Sequence, residues 1–170
     1  MSEAPIQNLY QKAKQLKIAK DAELDLAAIE TCLAFLHTST EVYNALDTHF
    51  ARYNLSRGKF TVLMQLFVHG EAGLKPSEVA ELAGVTRATI TRLIDGLVRD
   101  ELVERRAHPE DRRMLVMFLT DQGNALLEQM LPDHFCRTTA LLQALSSSEK
   151  KELMRLLAKV RQGISAMANP

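Results

Sequence analysis

No tryptophan occurs in the 170 residues, cysteine occurs only at Cys32 and Cys136, and 21 basic side chains are cancelled by 21 acidic ones. Each shortage excludes something. Two isolated cysteines, without a CxxC pair or finger spacing, exclude a disulfide framework and a structural zinc site. Cys32 sits in an apolar stretch and reads as a buried, reduced thiol. Five histidines at 37, 49, 69, 108 and 134 are scattered too widely to suggest a metal set, so no metal or cofactor is expected. Zero net charge removes the overall basic signature of a nucleic-acid binder. Even Pro76 to Phe118 holds seven arginines against eight acidic residues, so any affinity for DNA must come from where the cations stand.

Two further absences bear on location and chemistry. Met1 to Tyr10 shows no positive segment followed by an apolar run, and no stretch approaches the length that spans a bilayer. A cytoplasmic protein without a membrane partner is expected. There is no GxSxG, no glycine-rich phosphate loop, no HExxH and no close carboxylate pair with an adjacent base. The chain is therefore not expected to be an enzyme. At 46% hydrophobic residues it can bury one core, as a single domain.

What is present centres on Pro76 to Asp95, reading PSEVAELAGVTRATITRLID. Val79, Ala80 and Ala83 put small apolar groups on one face of a first helix, and Gly84 supplies a positive φ for the turn. Val85 is expected to bury the turn, and Thr86 can cap the next helix. In that helix Ile90, Leu93, Ile94 and Leu97 recur at i, i+3, i+4 and i+7 and form the inner stripe. Opposite fall Ala88, Arg92, Asp95 and Arg99, with Thr89 and Thr91 on the flanks and Arg87 at the exposed first turn. Such a face suits base edges, because arginine pairs bidentately with guanine while threonine and alanine can touch a thymine methyl.

Two short extended runs follow, Leu102 to Arg106 and Met114 to Leu119, joined by the polar loop Ala107 to Arg113. They read as a β-hairpin with a charged tip. Placed after a recognition helix, such a hairpin is a wing whose arginine can reach a narrow, electronegative minor groove.

The flanks read as helices. Gln7 to Lys20 resembles a solvated helical arm, and Leu24 to Tyr53 carries Leu24, Ala28, Cys32, Phe35, Leu36, Val42, Tyr43, Leu46 and Phe50 at helical spacing. Ser56 can cap a helix from Arg57 to about His69, closed by Gly70. After the wing, Thr120 can cap a long helix that Pro132 is expected to kink or break near Gln129. Ser146 and Glu149 form a capping box for a last helix in which Leu153, Leu156, Leu157, Val160 and Ile164 face inward. The last two helices hold more apolar surface than a small winged-helix core needs, and a helical dimer interface with the first helix is its natural sink.

Asp111-x-Arg113, followed after five residues by Leu119-Thr120 and preceded by Asp100-Glu101-Leu102-Val103-Glu104-Arg105, resembles the wing signature of the MarR (multiple antibiotic resistance regulator) family. The resemblance runs from about Leu24 to Gly163. It implies a mainly α fold with a small β-hairpin wing, a winged helix-turn-helix domain plus N- and C-terminal dimerisation helices. The boundaries it suggests are a helical arm at 1–22 and a winged domain at 23–165. Within the latter, dimerisation helices lie at about 23–53 and 120–165, the helix-turn-helix at 76–99 and the wing at 102–119. It implies a homodimer on double-stranded DNA whose release is modulated by a small aromatic or phenolic ligand or an oxidant.

By the same resemblance Arg113 is the minor-groove residue, Asp111 orients a nearby arginine, and Thr91 and Arg92 match major-groove contacts. Thr86, Arg87, Ala88, Thr89, Thr91, Arg92, Asp111 and Arg113 are then the DNA-binding set. A ligand pocket implied between the dimer helices and the winged domain would draw on His37, Tyr43, Arg52, Met64 and His69. Lys75 stands where the family usually has a Ser or Thr cap, and Asn54 where it often has glycine. Function divides two ways: a transcription regulator, most simply a repressor, on a pseudo-palindromic operator, or a winged-helix protein-interaction module without specific DNA binding.

Overall fold

The computed structural model describes residues 25–107 and 114–168. The expected arm at 1–22, together with His108, Asp111 and Arg113 of the wing tip, lies outside the described residues. The chain divides after Arg57 into two compact units, and each follows from its own sequence.

The first unit is dominated by helix α1, Leu26–Ala51. Asp25 starts it, its carboxylate accepting from the Ala28 N–H at 3.0 Å, so one orphan donor of the first turn is satisfied. The chain leaves the helix through Asn54 at φ 55°, the left-handed conformation that asparagine tolerates better than most side chains. That explains how Asn54 can stand where glycine is common. Phe50 and Leu55 are buried, while Phe35, Leu36 and Tyr43 of the apolar stripe are exposed, as is Ile29 on the same helix. Cys32, expected to be buried, is exposed as well: it lies on the same uncovered stretch of α1.

The second unit is mainly helical with one two-stranded antiparallel sheet. Helix α2, Arg57–His69, is followed by a 3₁₀ turn at Gly70–Ala72. Then come α3, Pro76–Ala83, and α4, Arg87–Arg99. Strands β1, Val103–Ala107, and β2, Leu115–Leu119, pair in the register Val103↔Leu119 to Ala107↔Leu115. Leu74, just before α3, adds an antiparallel bridge to Met117. Helices α5, Asp121–Leu141, α6, Ser147–Gln162, and the short α7, Ile164–Ala168, complete the unit.

Its core gathers where the helix-turn-helix meets the wing. Val62, Leu63 and Leu66 from α2, Val79 and Ala80 from α3, Ile90, Ile94 and Leu97 from α4, Val103, Val116 and Met117 from the strands and Leu127, Met130 and Leu131 from α5 are all buried. Each large aliphatic contributes roughly 2 kcal/mol by leaving water. Gly123 allows α5 to begin directly against the connection between α4 and β1, because a Cβ there would lie 2.2 Å from the Leu102 carbonyl oxygen. The Thr120 hydroxyl ties the same corner: it accepts from the Gly123 N–H at 3.0 Å and donates to the Glu101 carbonyl at 2.7 Å.

Three further expectations are corrected. Helix α5 continues through Pro132, so of the kink or break expected near Gln129 the break does not occur. Proline removes one intrahelical donor, but Leu127, Met130 and Leu131 pin the preceding turn in the core, and packing outweighs the local loss. Second, Leu156, Leu157, Val160 and Ile164 do not face inward; α6 has no buried residue, and these side chains are exposed. Third, Val85 does not bury the turn, being 36% exposed. The turn is closed by the backbone instead.

Candidate nucleic-acid interface

Helix α3 starts without a side-chain acceptor at its cap. Lysine has none to offer, so Lys75 contributes only its backbone N–H, which donates to the Glu78 carboxylate at 2.7 Å, with Pro76 at the first helical position. A family Ser or Thr is thus replaced by the reciprocal half of a capping box. Gly84 ends the helix at φ 64°, with its own N–H bonded to the Glu81 carbonyl and the Val85 N–H to the Ala80 carbonyl, both at 3.1 Å. The peptide groups make this turn, which is why Val85 can stay in water.

Helix α4 then starts at Thr86, whose hydroxyl oxygen accepts from the Thr89 N–H at 3.2 Å and lies 3.0 Å from the Thr89 hydroxyl. Thr86 and Thr89 therefore interact with each other in the free chain, and Thr89 is half-buried. Thr91 is exposed, but its hydroxyl donates to the Arg87 carbonyl at 2.9 Å. Its methyl and remaining lone pair are what it offers outward. Arg87, Ala88 and Arg92 are exposed as well. The structure thus brings Thr86, Arg87, Ala88, Thr89, Thr91 and Arg92 onto one end of one helix, with Ile90, Ile94 and Leu97 sealing the other side.

Residues beyond the expected set join them. An open cleft of about 370 Å³ is lined by Lys75, Pro76, Ser77, Arg87, Ile90, Thr91, Met114 and Leu115. It places Lys75 and Ser77, at the start of α3, beside Arg87 and Thr91. No spacing along the chain brings this pair together, and in the sequence Lys75 reads only as a poor cap. Along β1 the cations are engaged: Arg105 pairs with Asp95 of α4, and Arg106 pairs with Glu104 while lying 4.7 Å over the Phe118 ring. Lys59 of α2 reaches Asp100, at the end of α4, at 2.5 Å.

The residues suggested for a ligand are distributed over both units. In the first, His37 lies 3.5 Å from Glu41, the exposed Tyr43 ring carries the Arg57 guanidinium 4.3 Å above it, and Arg52 is exposed at the end of α1. In the second, Met64 is half-buried, and a His69 ring nitrogen lies 2.7 Å from the Gln65 carbonyl. No group of three metal-ligating side chains occurs among the described residues.

Known proteins with this arrangement settle the lineage. The family model described as MarR family matches residues 55–115, and the chain is 39% identical over 144 residues to the HTH-type transcriptional repressor YetL of Bacillus subtilis, covering 85% of this chain and 86% of that protein. The chain belongs to the MarR family. A second MarR-type relative, the transcriptional repressor MprA of Escherichia coli K12, is 26% identical over 78% of this chain and 75% of its own length. Among solved structures, the fold matches Sco3205, a MarR family transcriptional regulator from Streptomyces coelicolor in complex with DNA. The TM-score is 0.76 at 22% identity, over 83% of this chain and 90% of that one. The mainly helical fold with its two-stranded hairpin matches the MarR winged-helix architecture. No helix among the described residues is long and apolar enough to cross a membrane.

Proposed function

We propose that the chain is a DNA-binding transcription regulator, a repressor that works as a homodimer, with α4 in the major groove and the wing on the minor groove beside it. The observation that carries the reading is the two-sided character of α4. Its inner stripe is sealed in the core, while Arg87, Ala88, Thr91 and Arg92 stand together in solvent without a structural task that would require an exposed arginine there. Arg92 and the outward methyls of Ala88 and Thr91 suit guanine and thymine edges. Lys75 and Ser77, lining the cleft beside Arg87 and Thr91, suit a phosphate of the same groove. Asp111 and Arg113 complete the contact from the wing.

Dimerisation follows from the exposed apolar stripe of α6. Two chains related by a twofold axis present two recognition helices about one DNA turn apart and call for a pseudo-palindromic operator. Release of DNA by a small aromatic or phenolic ligand belongs to the same reading. The relatives named as repressors support regulation as the outcome.

The test is a fluorescence-anisotropy titration of the purified chain against the DNA upstream of its own gene and a scrambled duplex, at low and moderate salt. Saturable preference for the upstream sequence, falling steeply with salt, is the expected result. Equal or absent binding to both duplexes would contradict it and leave the protein-interaction reading. Aromatic acids and oxidants added to the preformed complex test release.

A further inference from the structure

Asp95 stands on the wrong face for its charge. Ala88, Arg92, Asp95 and Arg99 follow one another at helical spacing on the outer side of α4, so Asp95 shares the surface that the proposed function turns toward a polyanion. An unmatched carboxylate there would repel phosphates. Instead a guanidinium nitrogen of Arg105 is bonded to the Asp95 carboxylate.

The partner's position is set by the sheet. Side chains alternate along β1, so Arg105 shares a face with Val103, whose buried side chain holds the strand against the core, while Glu104 and Arg106 point to the other face and pair with each other. Across the hairpin Arg105 is opposite Met117, which is fully buried. The stem carrying Arg105 is thus fixed, and its guanidinium reaches out to the middle of α4. A separate pair, Lys59 with Asp100, closes the end of the helix, while Arg87, Arg92 and Arg99 stay exposed along its outer side.

We infer that Asp95 and Arg105 form a positioning pair for DNA reading: they lock the wing's stem to the recognition helix and keep the Arg105 cation away from phosphates, so that operator sequence outweighs non-specific attraction. Neither is a base contact. The inference rests on the proposed DNA reading, and its consequence is opposite to that of an ordinary basic contact. Removing the Asp95 charge frees a cation beside the groove. Binding to any duplex then strengthens, its salt dependence steepens by about one counterion, and discrimination falls.

The experiment measures Asp95→Asn, Arg105→Gln and the double variant by anisotropy on upstream and scrambled duplexes across a salt series, with amide hydrogen exchange of the DNA-free proteins. Asp95→Asn should tighten scrambled-duplex binding and lower the upstream-to-scrambled ratio about tenfold, and Arg105→Gln added to it should remove the extra non-specific affinity. Exchange of the β1 amides should quicken in each single variant, with those of α5 unchanged. Asp95→Glu, which keeps the charge, should stay near the wild type in the ratio. The inference is overturned if Arg105→Gln weakens both duplexes equally whether residue 95 is Asp or Asn, which would make Arg105 a plain phosphate contact. It is also overturned if β1 exchange is unaltered. Faster β1 exchange in a protein whose wild type prefers neither duplex would uphold the lock and overturn the DNA reading instead.

Discussion

Helices α4 and α6 are both amphipathic, yet only α4 is complete within one chain. On α4 the apolar stripe is buried by its own unit and the polar face is left for something else to read. On α6 the polar face is ordinary: Ser146 and Glu149 form the capping box, with Ser146 accepting from the Glu149 N–H at 3.3 Å, and Arg155 is bonded to Glu152. Its apolar stripe, however, remains in water, with Met154 71% and Ile164, just beyond it, 59% exposed. One helix needs a polyanion and the other needs an apolar partner. A regulator that binds DNA only as a pair requires both incomplete surfaces in the same chain.

The largest effect should come from spoiling the incomplete stripe. Leu157→Asp with Val160→Asp should weaken self-association at least 100-fold, about 3 kcal/mol, as read by sedimentation equilibrium, while far-ultraviolet circular dichroism stays unchanged. Loss of helix content instead would mean that α6 is held by its own chain. Next, Ile94→Ala on the completed stripe should cost about 3 kcal/mol of stability in urea denaturation, through the cavity it leaves. A cost well under 1 kcal/mol would deny that α4 is set in a tight core. On the opposite face of the same helix, Arg92→Ala should leave stability alone but cost about 2 kcal/mol in operator binding and relax preference at one base position. A uniform fall across all sequences would reduce Arg92 to a phosphate contact. The smallest change expected is Thr86→Ala, about 1 kcal/mol of thermal stability through the lost cap; no change in melting would make the Thr86 hydroxyl dispensable.

Acidity touches the two ends differently. In α5, burial holds the His134 imidazole below its usual range, against the opposing pull of Asp133. A histidine with a lowered folded pKa resists protonation in the native state, so it withdraws stability as pH falls from its unfolded value toward the folded one. In the capping box the Ser146 hydroxyl and backbone N–H hold Glu149 below the usual carboxylate range. That contribution is lost only at still lower pH.

Much of this was legible because the two signals that matter are local. The period of Ile90, Leu93, Ile94 and Leu97 declares a helix and its inner side, and Gly84 and Thr86 mark the turn and cap that precede it. The excess of leucine and valine in α6 was equally plain, but a stripe states that burial is needed and not by whom, so assigning it inward was wrong for a single chain. Pro132 shows the reverse: a rule about hydrogen bonds inside a helix admits a break, and the three buried neighbours keep the helix continuous. An apolar side chain beside Gly84 suggests a buried turn, but two backbone bonds already close it and Val85 is free to stay in water. The Asp95 to Arg105 pair and the gathering of Lys75 with Arg87 depend on tertiary register, which no spacing along the chain contains.

One chain has a reading helix but needs a second chain to use it. Sedimentation equilibrium of the protein with a labelled duplex from its own upstream region, run beside a scrambled duplex, tests it most directly. A complex of two chains is expected on the upstream duplex, and none on the scrambled one at the same concentration. One chain per duplex, or the same complex on both, would contradict it.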